Sequence, residues 1–412
     1  MTLAPCKALA YTEIMTDTAQ SLTQTDPLTD ALVTDTPTLQ AWCHTYAQQP
    51  WITVDTEFLR VDTYYPKLCL VQLSDPTGRA ICIDPLRVDD LSPLWQLLEQ
   101  PDLCKVFHSA RQDLEVLALQ PCLPTPIFDT QIAGVFFGLG DQMGLANMAK
   151  TLTHWQLKKD QTRTDWSQRP LHPDQIQYAL ADVKSLACVY DHILQQLTPK
   201  QTAALAQDAQ RLAQQTRPDA PEQTPSHAGW RIKGIQKLAP KNQAIALKLA
   251  QWRETHAQTR NLPRRWVLSD EAILAMAKRP PSHFKALYKV PNLKPRHLQA
   301  FGDTWIELID AVFAAPQDWP PKPTPSPAMT QAQNVAWQLG LAWRDQITHT
   351  HGLLNPHWLH KSDLKQILIH PNPHEAQLWG WRHLLFEQPF KGFLNQAGQF
   401  AWQQNQLVYC PT

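Results

Sequence analysis

Glycine is scarce in this chain, at 13 of 412 residues, and its eight cysteines (6, 43, 69, 82, 104, 122, 188 and 410) include no C-x-x-C pair. A disulfide framework and a zinc site therefore both lack their usual spacing, and a reducing cytoplasm fits. No apolar run approaches the roughly 18 residues that a membrane-spanning helix needs. The segment Met1–Gln20 has no basic start leading into an apolar core, so a secretory signal is not expected. Phosphate-cradling glycine loops are missing as well, which removes the commonest nucleotide-binding signatures. Net charge is also absent, because 37 Lys and Arg cancel 37 Asp and Glu.

Hydrophobic residues make up 43% of the chain, enough to build cores and too many for a disordered polymer. The 35 prolines favour packed modules joined by stiff linkers. At roughly 150 residues per domain, this length predicts two or three domains. The zero net charge hides an asymmetry. Residues 1–200 carry 14 basic and 23 acidic side chains, whereas residues 230–300 carry 15 basic and only three acidic ones, Glu254, Asp270 and Glu271. Such a block either contacts phosphates or is simply a well-solvated helical surface.

Residues 1–30 are rich in Thr, Asp and Gln without a sustained period and read as a mobile extension. From 31 onward, β-branched runs such as WITVDTEFL (51–59), LCLVQLSD (68–75) and AICIDPL (80–86) alternate with helical stretches at 91–100 and 112–120. Alternation of this kind predicts a sheet with helices on its faces. The clearest helix is 173–197, where Ile176, Leu180, Val183, Ala187, Tyr190 and Leu194 keep a spacing of three or four. Beyond 201 the strand signal fades. A Pro-bearing linker at 213–229 and a stiffer one at 315–328 set off two helical modules, 230–314 and 329–412, from an α/β domain at 31–212.

Three acidic constellations stand out in the α/β domain. Asp55 and Glu57 sit at i and i+2 of a strand and share a face, where two like charges cost energy unless a cation intervenes. Asp113 lies where a strand turns into a helix, a position that also suits a dipole-complementing acid. Tyr178 and Asp182 are i, i+4 neighbours on the long helix. Any one of these alone is ordinarily structural. Together, four carboxylates and a phenol suit two hard cations of the Mg²⁺ or Mn²⁺ kind and metal-assisted phosphodiester hydrolysis.

In combination the motifs VDTEF (54–58), HSARQD (108–113) and YALAD (178–182) resemble the DEDD exonucleases. The phrases TYYPKLCLVQLS (63–74), FDTQIA (128–133) and TRTDWSQRPL (162–171) bring the chain closer to the ribonuclease D family, over residues 31 to about 390. Tyr178, four residues before its Asp, matches the tyrosine subclass. LKLAQWRETHAQTRNLPRRWVLSDEAILAMA (247–277) resembles the helicase-and-ribonuclease-D C-terminal (HRDC) domain, and the last module, with GWRHLLF (380–386), resembles a diverged second copy.

The resemblance implies a ribonuclease-H-like mixed sheet flanked by helices, followed by two small all-α domains. It implies a monomeric 3′→5′ exoribonuclease that trims structured RNAs, chiefly tRNA precursors, and releases nucleoside 5′-monophosphates. Asp55, Glu57 and Asp182 would ligate one metal, Asp55 would bridge to a second that Asp113 reaches directly or through water, and Tyr178 would orient the attacking water and help deprotonate it, with positioning dominating over full proton abstraction. Two other activities stay open: a 3′→5′ DNA exonuclease in repair, and an RNA-binding adaptor without catalysis.

Further residues have competing readings. His108 either packs or touches RNA, and Phe58, Tyr64 and Tyr65 either pack or stack on terminal bases. Arg264, Arg265, Lys278 and Arg279 are the basic pairs expected to meet phosphates. Asp129 is expected to cap a helix, and Asp165 with Arg169 to hold local structure or position RNA. His349, His351, His357 and His360 cluster without a ligand arrangement beyond a fortuitous metal-binding surface.

Overall fold

A computed structural model describes residues 32–157, 164–217, 220, 223–321, 327–370, 372, 377–404 and 406–411. The expected N-terminal extension, the start of TRTDWSQRPL and parts of both linkers lie outside the described residues. Two compact units result. One comprises the chain up to Phe58, Leu68–Gln214 and Pro327–Thr412; the other comprises Leu59–Lys67 and Gln215–Ser326.

In the first unit, β1 (Leu32–Val33), β2 (Trp51–Leu59), β3 (Lys67–Ser74), β4 (Ala80–Ile83), β5 (Cys104–Phe107) and β6 (Ile127–Asp129) form one sheet in the order β1-β4-β3-β2-β5-β6. It is mixed: β3 and β4 are antiparallel, while β1 with β4, β2 with β5 and β5 with β6 are parallel. The parallel pairs need crossovers, which the helical stretches of the sequence supply. Alternation divides the sheet's side chains between two layers. Ile52, Val54, Val71, Leu73, Ile81, Ile83 and Phe107 pack with α1 (Thr36–Tyr46), α2 (Ser92–Glu99) and α3 (Arg111–Leu117). Trp51, Cys104, Val106 and Phe128 turn the other way, where they join residues of α4 (Thr130–Ala133), α5 (Leu145–Thr153), α6 (Pro173–Gln196) and α7 (Pro199–Thr216).

Helix α6 begins as its sequence predicts. Pro173 occupies the first turn, and His172 and Gln175 form a reciprocal capping box. Ahead of it, Arg169 grips the buried Asp84 carboxylate bidentately, with Nε to Oδ2 at 2.6 Å and Nη2 to Oδ1 at 2.7 Å. The same guanidinium donates to the Cys69 and Trp166 carbonyls at 2.6 and 2.8 Å. Arg169 thus pins the entry of α6 to β3 and β4, while Asp165 accepts from the Ser167 amide and hydroxyl in a local turn.

The second unit is helical: α8 (Pro240–Arg260), α9 (Arg264–Val267), α10 (Asp270–Lys278) and α11 (Pro295–Ala314) surround a core that includes Ile245, Leu249, Ile273, Met276 and Trp305. Part of the first expected linker is ordered as 3₁₀ turns over Pro225–Arg231, with Gly229 pressed against Leu247 of α8.

The last module does not stand apart. Its helices α12 (Gln331–Thr350), α13 (Lys361–Ile369), α14 (Gly380–Arg382) and α15 (Gln388–Leu394) share an apolar cluster with Val135, Ile132 and Phe136 of the α/β domain. It also ends in an antiparallel hairpin, β7 (Gly398–Gln403) with β8 (Gln406–Pro411), which the helical reading of the sequence lacked. Polar contacts reinforce the seam. His351 Nδ1 lies 2.7 Å from the Val135 carbonyl, the Gly140 amide donates to His351 O at 2.9 Å, and the Trp381 amide donates to Asp208 at 2.9 Å.

Gly140 has φ +74°, and a Cβ there would sit 2.6 Å from the Gly352 carbonyl oxygen. Gly140→Ala is therefore expected to destabilise the first unit by about 1–3 kcal/mol. Denaturant unfolding would measure this, and an unchanged midpoint would remove the seam's steric argument.

Candidate active site

Strand β2 carries Thr53, Asp55 and Glu57 on the face that α6 covers, and the Thr53 hydroxyl donates to the Val183 carbonyl of α6 at 3.0 Å. This bond fixes α6 over the strand and brings Tyr178 and Asp182, one helical turn apart, to the carboxylates. Thr56 points away from Asp55 and Glu57, and its hydroxyl donates to Asp113 Oδ1 at 2.6 Å. Asp113 lies in the first turn of α3, where the helix dipole favours an acid, but it is not the cap: Ala110 precedes the helix with no side-chain cap. The backbone there is held by Asp129, which accepts from the Ser109 and Ala110 amides at 3.0 and 2.9 Å and caps its own helix through Gln131 N at 2.9 Å. The expected cap at Asp129 is thus observed, with the neighbouring turn tied in as well.

Asp55, Tyr178 and Asp182 line a cavity of about 320 Å³ together with His108, Gly144, Leu145, Ala146, Asn147, Leu157 and Leu186. Burial and mutual repulsion dominate its electrostatics. Burial pushes the Asp55 carboxyl up to about 6, against a backbone hydrogen bond from Thr56. Burial, then the charges of Asp55, Asp182 and Asp113, raise Glu57 to about 9. Asp182 rises to about 7 through burial and Asp55, partly offset by the hydrogen bond it accepts from Tyr178. Asp113 stands well above the ordinary carboxylate range for the same two reasons. Burial and Asp182 also raise the Tyr178 phenol, which stays protonated at neutral pH.

No described lysine or arginine figures among the influences on these four carboxyls. Among the described residues, no three carboxylate, imidazole or thiol groups converge closely enough to cage a metal by themselves. The fit to divalent cations rests on the donor set: four carboxyls, Asp113 buried and Asp55, Glu57 and Asp182 half-buried, with no described basic side chain among their influences, which is the chemistry hard cations take.

The remaining candidates distribute unevenly. His108 lines the cavity, but both ring nitrogens are occupied, Nδ1 2.9 Å from Thr130 Oγ1 and Nε2 2.9 Å from the Met143 carbonyl. Burial lowers its basicity, so the neutral ring with Nε2–H holds the 143–145 rim in place. Phe58 packs against the apolar layer of the sheet and is not among the cavity-lining residues. Trp166, which motif reading left unassigned, is buried with its ring 6.3 Å from that of Tyr178 and backs the phenol. Thr56 was equally hidden, because a threonine between two acids carries no distinctive signal.

In the helical unit, Arg264 takes a partner other than the one expected. Its guanidinium donates Nε to Glu254 Oε2 at 2.7 Å and Nη2 to Oε1 at 2.7 Å, and lies 4.8 Å over the Tyr64 ring. Tyr64 donates its own hydroxyl to Glu254 at 2.5 Å, and Arg231 adds a contact at 3.1 Å. Burial pushes the Glu254 carboxyl upward, but hydrogen bonds from Arg264 and Tyr64 outweigh it and hold it below the usual range. A fully buried carboxylate requires such partners, so Arg264 has a structural role in the helical core while its side chain stays partly exposed. Tyr64 is likewise engaged rather than free to stack on a base. Arg265, Lys278 and Arg279 are exposed.

A family model described as a 3′-5′ exonuclease matches residues 31–198, and one described as an HRDC domain matches residues 242–309. Ribonuclease D of Pseudomonas paraeruginosa is 35% identical over 375 residues, which cover 89% of this chain and 97% of that protein. Ribonuclease D of Gluconacetobacter diazotrophicus is 34% identical over 374 residues, covering 86% and 90%. The crystal structure of Escherichia coli RNase D, described as an exoribonuclease involved in structured RNA processing, superposes with a TM-score of 0.69 at 27% identity, covering 89% of this chain and 99% of that one.

Two expectations follow from the electrostatics. Raised folded-state carboxyl pKa values mean that stability is fully present below the unfolded values near 4 and is lost as pH climbs through about 6 to 9. Thermal melts in EDTA should therefore fall between pH 5 and 8, and added Mg²⁺ should flatten the slope; a flat EDTA profile would contradict the shifts. Separately, Arg264→Ala is expected to lower stability by about 1–3 kcal/mol, whereas Arg265→Ala leaves it unchanged. Equal unfolding midpoints for the two variants would contradict the Glu254 pairing.

Proposed function

Since the chain belongs to the ribonuclease D family and is a 3′→5′ exoribonuclease, we propose that it trims the 3′ ends of structured RNAs, tRNA precursors above all, by hydrolysis at a two-metal carboxylate site. The observation that carries the site is the half-buried group of four carboxyls with no described basic side chain among their influences. Asp55, Glu57, Asp113 and Asp182 would hold the ions. Bound divalent ions such as Mg²⁺ or Mn²⁺ supply Lewis-acid activation of water and stabilise the leaving oxygen.

The chain's own residues do the rest. Tyr178 hydrogen-bonds Asp182 and keeps its proton, so it orients the attacking water rather than abstracting a proton from it. Trp166 steadies the phenol, and neutral His108 holds the Met143 carbonyl and with it the rim of the cavity. The cavity's 320 Å³ is near the lower bound for ligand pockets and suits one terminal nucleotide at a time, with release as the 5′-monophosphate. Asn147 and the backbone of Gly144–Ala146 are the polar groups there available to a terminal ribose. On the basic module, Arg265, Lys278 and Arg279 would contact phosphates of the RNA body, an electrostatic term that weakens steeply with salt.

The test uses purified protein, a 5′-labelled tRNA bearing a short 3′ extension, and a DNA strand of matched sequence. With Mg²⁺, a ladder shortening from the 3′ end is expected, lost in EDTA and reduced at least about 10³-fold in Asp182→Ala. Shortening of DNA in preference to RNA would transfer the activity to the repair reading, and full activity of Asp182→Ala would refute the carboxylate mechanism.

A further inference from the structure

Strand β2 is not supported evenly along its length. Strand β5 pairs with it in register at Trp51, Ile52 and Thr53 and ends at Phe107, so residues 55–59 run on past β5 and keep β3 as their neighbour in the sheet. Burial falls off over the same stretch: residues 51–54 are buried, whereas Asp55 and residues 57–59 are half-buried. The two acids of β2 therefore stand on its less supported half. The connection that follows, Leu59–Lys67, starts two residues after Glu57 and belongs to the helical unit. There it is fastened by main chain and side chain together. Asn261 ends α8 in the left-handed region, with φ +49° and ψ +49°, and its amide bonds back to the Ala257 and Gln258 carbonyls. Asparagine takes that conformation more readily than most residues with a side chain. From this position Asn261 Oδ1 accepts both the Tyr64 and the Tyr65 amides, each at 3.0 Å. The Tyr64 hydroxyl donates to Glu254 and accepts from Gln258 Nε2 at 3.1 Å and Arg264 Nη2 at 2.9 Å.

We propose that Asn261 and Tyr64 are positioning residues for the exonuclease reaction: they clasp the β2–β3 connection and so fix the outer half of β2, with Asp55 and Glu57 on it. A two-stranded extension is marginal by itself in water. A reacting group misplaced by about 1 Å can cost about 10²-fold in rate. One oxygen shared by two successive amides sets where the connection sits, and the saturated Tyr64 hydroxyl keeps its side chain from swinging out. Neither residue lines the catalytic cavity, and both lie outside the three acidic motifs. The clasp gives the helical unit a part in catalysis separate from its positive charge, so its loss lowers turnover rather than affinity for RNA.

This inference rests on the carboxylate site proposed above, and one experiment on the full chain separates the two. With Mg²⁺ and a 5′-labelled RNA, kcat and KM are measured for the wild type, Asn261→Gly, Asn261→Asp, Tyr64→Phe and Asp182→Ala, and hydrogen exchange is followed over residues 54–66. Glycine keeps the left-handed backbone and removes the oxygen, whereas aspartate keeps an acceptor for both amides. Asn261→Gly and Tyr64→Phe should each lose at least about 10-fold in kcat with KM within about 2-fold of the wild type. Exchange over residues 54–66 should quicken in both, and Asn261→Asp should restore rate and protection alike. Wild-type kcat in a folded Asn261→Gly or Tyr64→Phe protein overturns the proposal. So does a raised KM at unchanged kcat, which would make the clasp an RNA contact, and so does unaltered exchange or a folded Asn261→Asp as slow as Asn261→Gly. Should Asn261→Gly not fold, Tyr64→Phe decides alone. Full activity of Asp182→Ala removes the carboxylate site and this inference with it, whereas activity lost in Asp182→Ala yet intact in Asn261→Gly removes the clasp and leaves the site standing.

Discussion

Crowding four carboxyl groups around strand β2 is the constraint around which the first unit is organised. Each is pushed toward its neutral form by burial and by its neighbours, and the fold supplies no arginine or lysine among the described residues to relieve them. Holding such a group together demands rigid surroundings. Thr53 ties α6 to β2, Arg169 and Asp84 fix the entry to α6, and Asp129 holds the turn that delivers Asp113. The apolar layer on the opposite face of the sheet provides the burial that offsets this electrostatic cost.

The two helical modules solve different problems. In the first, a buried glutamate draws Arg264, Arg231 and Tyr64 inward, so part of its positive charge is structural and only the exposed part faces solvent. The last module carries little positive charge and instead shares a core with Val135 and clasps the Gly138–Gly140 turn. That turn leads directly into Met143 and Gly144, which hold His108 and line the cavity. The last module thus serves as a brace for the rim of the cavity.

Much of this was legible in the chain itself. Strand and helix boundaries followed from alternation and three-to-four spacing, because one face of each element is genuinely apolar. The carboxylates were visible because acids inside a β-branched run, or i, i+4 from a tyrosine on an apolar helix, contradict their surroundings. The pairing of Arg264 with Glu254 was hidden, because composition cannot distinguish a surface arginine from one recruited by a buried acid ten residues away. Thr56 and Trp166 carry no local contradiction at all; their importance lies in contacts across 57 and 12 residues of chain. The surface on which the last module docks was illegible for a related reason: Val135, Ile132 and Phe136 read as ordinary core residues whichever surface covers them.

The buried carboxyl cluster also reaches beyond chemistry at the phosphodiester bond. A protein whose interior is eased by binding an ion is linked to that ion by mass action, so the population of opened molecules falls as the ion rises. Proteases that act on opened forms sample that population. Cellular supply of divalent cations would then govern how long each molecule survives as well as how fast it works, and a metal-starved cell would clear this nuclease rather than store it idle.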